Sequence, residues 1–131
     1  MDGKAGSVSK GANFERLCAQ ALRECGWNVI RAAGSKGPAD LWAARVEGCG
    51  TPRLLVVQVK SGVNGVGPAA WNELLLLSES TGAMPVIADK LPRIARPQWW
   101  RITGPKSGRL GERQPRAPFD IEAWDETRRV A

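Results

Sequence analysis

The chain contains neither histidine nor tyrosine. Ser-His-Asp and Cys-His catalysis, histidine-ligated metals and covalent tyrosine recombination are therefore excluded, and carboxylate, amide, lysine and metal chemistry remain. The residues that stand out for such chemistry are Asp40, the pair Gln58 and Lys60 at the end of an apolar run, and Glu15 in an early helical pattern. Two residues apart on a strand, Gln58 and Lys60 point to the same face. A hairpin symmetric about Cys49 sets Asp40 directly opposite Gln58, on that same face. Polar groups gathered on a Leu- and Val-rich strand need a reason, because burying an unpaired charge is costly. A solvated strand end where Asp40 salt-bridges Lys60 accounts for them as well as a reaction centre does. Taken alone, Glu15 reads equally as a first-turn acid favoured by the helix dipole.

Several elements must position these residues. Phe14, Leu17, Cys18, Ala21, Leu22 and Cys25 recur at helical spacing from about Asn13, and Gly26 supplies a C-cap. On this wheel Glu15 sits beside Leu22 at the margin of the buried stripe and Arg16 on the outer face. Trp27 to Ala33 and Ala39 to Arg45 read as strands around a GSKGP turn. Arg53 to Lys60 (RLLVVQVK) is almost continuously apolar, the pattern of a central strand covered on both faces. Pro68 and Gly82 bracket a second helix carrying Trp71, Leu74, Leu75 and Leu77. A strand through Val86 to Ala88 follows, and then one over Gln98 to Thr103. Residues 1–10 are expected to be a flexible basic lead-in. Residues 104–118 are expected to be a loop or tail, and FDIEAWDETRRV a short terminal helix. The expected architecture is α/β, an αβββαβ core with a central mixed sheet flanked by helices, in one domain spanning 1–131.

Composition bounds the partners. Nineteen Lys and Arg against 13 Asp and Glu give a formal charge of +6 and a pI near 9.8, the electrostatics of a polyphosphate partner. The cysteines, Cys18, Cys25 and Cys49, are odd in number and form no CxxC pair. They read as core residues of a cytoplasmic protein rather than a disulfide framework or zinc site. No apolar run approaches the ~20 residues of a membrane helix. The loop GVNGVGP has neither GxGxxG order nor a Walker ending, so no nucleotide cofactor is expected. It reads instead as a mobile loop beside the site. Of six tryptophans, Trp27, Trp42 and Trp71 fit the buried pattern. Adjacent Trp99 and Trp100 must face opposite sides of their strand, leaving one for a DNA or dimer contact.

Three segments in order, KGANFER, GWNVIRAAGSKGPADLWA and LLVVQVKSG, resemble the archaeal-type Holliday junction resolvases of the PD-(D/E)xK nuclease superfamily. The resemblance is close over roughly residues 10–62 and holds by pattern to about Ala88. It implies a restriction-endonuclease-like fold, a homodimer, and a branched four-way DNA junction nicked symmetrically by metal-dependent hydrolysis. A general restriction- or repair-type nuclease and a noncatalytic branched-DNA-binding module are the competing readings. The implied metal ligands are Glu15, Asp40 and Gln58, holding Mg²⁺ with Mn²⁺ able to substitute, while Lys60 positions or activates the attacking water. Arg16, Arg31 and Ser35 match the family's phosphate-contacting residues, with Lys36 and Lys10 beside them. The chain departs from the family at Gln58, where an acid is expected. Losing one unit charge at ~4 Å weakens attraction for a divalent ion by roughly 2 to 8 kcal/mol across effective dielectrics of 80 to 20, before desolvation.

Overall fold

The structure, a computed structural model, describes residues 2–32, 37–47, 50–61 and 65–122, with side chains from residue 12 onward except at 47 and 51. Its elements are α1 (Asp2–Glu24), β1 (Asn28–Arg31), β2 (Leu41–Glu47), β3 (Thr51–Lys60), α2 (Pro68–Thr81), β4 (Met84–Asp89), β5 (Gln98–Ile102) and β6 (Arg116–Pro118). All six strands form one mixed sheet in the order β1-β2-β3-β4-β5-β6, in which only β3 and β4 run parallel. Helix α2 makes the crossover that a parallel pair requires.

The continuous apolar run of β3 follows from its central position. Leu55 and Val57 pack on the α1 side with Phe14, Cys18 and Leu22, while Val56 packs on the α2 side with Trp71 and Leu74. All three strand residues have 0% exposure, so each contributes ~1.5–3 kcal/mol of hydrophobic burial. β4 repeats the alternation, with Val86 and Ala88 toward α1 and Ile87 toward α2. The β2–β3 register, Leu41 to Val57 and Trp42 to Val56, is the expected hairpin symmetric about Cys49.

Helix α1 ends in a Schellman arrangement. Gly26 sits at φ 92, its N–H donates to Arg23 O, and Trp27 N–H reaches back to Leu22 O. Trp27 and Leu22 then pack in one cluster, which fixes where the chain turns into β1. Helix α2 begins at Pro68 and is closed by Gly82 at φ 77, whose N–H donates to Ser78 O.

Four expectations need correction. Helix α1 starts at Asp2 rather than near Asn13, so residues 2–10 belong to the helix rather than preceding it. No proline interrupts this stretch, and a helix can extend beyond its apolar stripe without a buried face to announce it. Residues 104–118 are no tail: Arg116–Pro118 adds β6 to β5, Trp71 Nε1 donates to Gly104 O, and Lys106 Nζ donates to Val66 O. Phe119 and Ile121 then enter the α1-side core. Trp42 is 37% exposed because α2 packs on β3 and β4 and leaves this side of β1 and β2 uncovered. Trp99 and Trp100 do face opposite sides, but neither is free, since each packs against one of the two clusters. Most of the anticipated terminal helix lies in 123–131, outside the described residues.

Candidate active site

Asp40 precedes β2 and is gripped through both backbone and side chain. Its N–H donates to Val57 O at 2.7 Å, and its carbonyl accepts from Ala32 N–H at 2.9 Å, so it bridges β1 and β3. Its Oδ2 accepts both the Val59 N–H at 2.8 Å and Gln58 Nε2 at 3.1 Å. The carboxylate thus takes the ladder position a backbone carbonyl would fill. Among the described residues Oδ1 accepts no hydrogen bond. Charge-assisted bonds of this kind contribute ~1.5–3 kcal/mol each, enough to hold the half-buried acid in one orientation.

Burial pushes the Asp40 pKa above its ordinary value, the Val59 N–H opposes this, and the negative charge of Glu15 raises it further. Glu15 therefore reaches the Asp40 neighbourhood from α1. Cys18, one turn beyond Glu15 and fully buried, feels both carboxylates and is pushed up to about 12, mainly by desolvation. Glu15 is also paired with Arg31, whose Nε lies 3.2 Å from its Oε2. With side chains 36% and 23% exposed, that pair is worth only ~0–1 kcal/mol, so it does not lock Glu15 in place. A half-buried site with two acids and no adjacent compensating cation on Asp40 suits a hard cation, because hard cations take oxygen ligands from carboxylates, amides and waters.

The sequence-derived candidates separate into groups. Asp40 and Gln58 are hydrogen-bonded, and Glu15 lies near enough for its charge to act on Asp40. Lys60 does not salt-bridge Asp40, and it has no side-chain partner among the described residues. It faces a cavity of about 530 Å³ instead. Arg31 is engaged by Glu15, and exposed Arg16 donates to Asn13 Oδ1 at 2.8 Å. Ser35 and Lys36 lie outside the described residues, as does the Lys10 side chain. Sequence reading missed Asp89 and Arg116. Asp89 is the β4 partner of Lys60, and both Asp89 and Arg116 line the same cavity. Extending the fourth strand by one residue would have found Asp89. Nothing in the sequence marks Arg116.

The model of the family described as archaeal Holliday junction resolvase (Hjc) matches residues 6–113. Among solved structures, the chain is similar to Archaeoglobus fulgidus Hjc, a Holliday junction resolvase from an archaeal hyperthermophile. The two are 30% identical, with a TM-score of 0.54 and 71% of each chain covered. Comparison with curated proteins returns no match.

Proposed function

The chain belongs to the archaeal Holliday junction resolvase family, and on that premise we propose that it resolves four-way DNA junctions by Mg²⁺-dependent phosphodiester hydrolysis at Asp40. One observation carries the residue assignment: Asp40 is immobilised through Oδ2 while its Oδ1 accepts no hydrogen bond among the described residues. Asp40 Oδ1, the Glu15 carboxylate and the amide oxygen of Gln58 are the groups that would hold the ion, with waters completing its shell. When bound, the metal neutralises charge developing on phosphorus and makes water easier to deprotonate. Lys60 contributes a cation that orients the incoming water oxygen and offsets negative charge as the opposite phosphorus–oxygen bond breaks.

Gln58 sets a condition on this reading. Its Nε2 donates to Asp40, so its neutral amide oxygen is the only atom of that side chain left to offer an ion. Arg16, Arg31, Ser35, Lys36 and Lys10 supply phosphate contacts that position the junction without reading sequence. Two nicks on opposing strands require two active sites, which a two-fold homodimer provides. The uncovered β1–β2 side, where Ile30, Trp42 and Leu54 share one exposed face, is the surface on which a second copy would pack. No described helix is long and apolar enough to cross a membrane.

A labelled four-way junction and a linear duplex, each incubated with Mg²⁺ and either wild type or Asp40→Asn, test the proposal. Paired symmetric nicks by wild type, lost in the variant, are expected. Equal cutting of duplex would reassign the chain to general endonuclease chemistry. Tight junction binding with no Asp40-dependent product in Mg²⁺ or Mn²⁺ would leave a binding module, a reading the neutral Gln58 favours.

A further inference from the structure

On the α2 side of the sheet, Lys60, Lys90 and Arg116 line the 530 Å³ cavity together with one acid, Asp89. Among the described residues none of these three cations makes a side-chain hydrogen bond or ion pair. Lys60 and Arg116 are half-buried while Lys90 is exposed. Desolvating a cation is costly, and here three cations and a single acid share one concave space of ligand-binding size. The Arg116 guanidinium lies over the Trp100 ring at 3.7 Å from its centroid. Stacking occupies the guanidinium face and leaves its in-plane N–H donors free for an anion. The Lys90 N–H donates to Lys60 O at 3.1 Å, which ties the loop after β4 to the end of β3.

We propose that this cavity is a phosphate subsite for the DNA strand being cut, seating a backbone phosphate next to the scissile one with Arg116 and Lys90 as donors. The inference rests on the junction-cleavage reading above. Lys60 forms part of the cavity wall, so a strand whose scissile phosphate meets Lys60 carries its neighbouring phosphate into the cavity. Successive phosphates advance only ~3.4 Å along the axis per strand. The walls favour a phosphate over an unstacked base. Trp71 is 1% exposed and already covered by Lys106 at 4.9 Å from its centroid, while Trp100 is covered by Arg116, so neither ring is open for stacking. Burial lowers the Arg116 pKa and Asp89, which lines the same cavity, partly offsets this, but the cations outnumber the acid.

The test uses junctions with a single neutral methylphosphonate link at each position flanking the cut, bound without divalent metal by wild type, Arg116→Gln and Lys90→Ala. Wild type should lose about tenfold in affinity at one flanking position, the loss expected of a charge-assisted contact. Arg116→Gln should lose a similar factor on the unmodified junction and nothing further at that position. Lys90→Ala, on a different segment, should repeat the pattern if thermal melting confirms that both variants fold. Losses that multiply at every position overturn the inference while leaving wild-type cleavage, and the reading it rests on, intact. A wild type that binds no junction removes both.

Discussion

Gln58 and Lys60 stand two residues apart on β3 yet serve regions built on opposite plans. Toward β2, the acid is held by protein on one side only: Asp40 takes two donors on Oδ2, its backbone joins β1 to β3, and Gln58 spends an N–H on Asp40. Toward β4, Lys60, Lys90 and Arg116 donate to no side-chain acceptor among the described residues and share one cavity. The first arrangement fixes an acid within narrow limits, as a metal ligand requires. The second gathers three cations around a single acid, Asp89. A strand end where acid and lysine neutralise each other would have joined these regions through an Asp40–Lys60 bridge, and that bridge is not formed.

The hardest way to break the contrast is Asp40→Asn. Asparagine keeps an oxygen for the Val59 N–H, so folding should survive, while junction cleavage should fall ~10³-fold or more because metal-supplied charge stabilisation is worth several kcal/mol. Junction affinity measured without metal should change far less. Comparable losses of cleavage and affinity would mean that Asp40 only maintains the β2–β3 junction.

A second test addresses the two halves of the α2-side sheet face, one covered by α2 and one bare. Trp42→Glu places a charge in the bare half and should weaken self-association by ~30-fold or more, the scale of an interface hot spot, as read by sedimentation equilibrium. Unchanged self-association would move the homodimer contact elsewhere.

What the sequence disclosed and what it hid follow from the same contrast. The Asp40–Gln58 contact was legible because a hairpin's register is arithmetic once its turn is located, and a continuously apolar β3 announces burial on both faces. Trp42 was misjudged because its burial depends on where α2 lands, which no local pattern encodes. Strand β6 was invisible: Arg-Ala-Pro offers no alternation and ends in a residue that strands avoid. The cavity joins β3, β4 and β6, and with β6 unread its Arg116 could not be linked to Lys60.

Gln58→Glu sharpens the contrast from the other side. It restores the charge that the family pattern expects and should tighten Mg²⁺ by about tenfold or more, measured by calorimetry. It also removes the Nε2 donor from Asp40 and adds a third negative charge, so melting temperature without metal should fall while the Mg²⁺-induced rise in melting temperature should grow. If metal affinity stays the same, Gln58 lies outside the coordination sphere.

The smallest expected effect is in the pH dependence of stability, where two carboxylates act with opposite sign. The folded-state pKa of Asp40 is raised, first by burial and further by Glu15. Its contribution to stability is therefore fully present below the ordinary value of 3.8 and is lost as pH rises through the higher folded value. Glu112 is the reverse. The Ser107 and Gly108 N–H groups hold its carboxyl below 4.5, so its contribution is present above 4.5 and lost as pH falls through the lower folded value. Chemical denaturation of wild type and Asp40→Asn, without metal, should give a stability difference that shifts toward the variant as pH rises above 3.8. Glu15→Gln should shrink that shift, because it removes one of the causes that raise Asp40. Saturating Mg²⁺ should reverse it in wild type alone, since a cation favours the ionised carboxylate that burial disfavours. A difference that stays flat with pH would mean that Asp40 is no more strained by its charge than an exposed acid, and the case for a cation at Oδ1 would lose its electrostatic half.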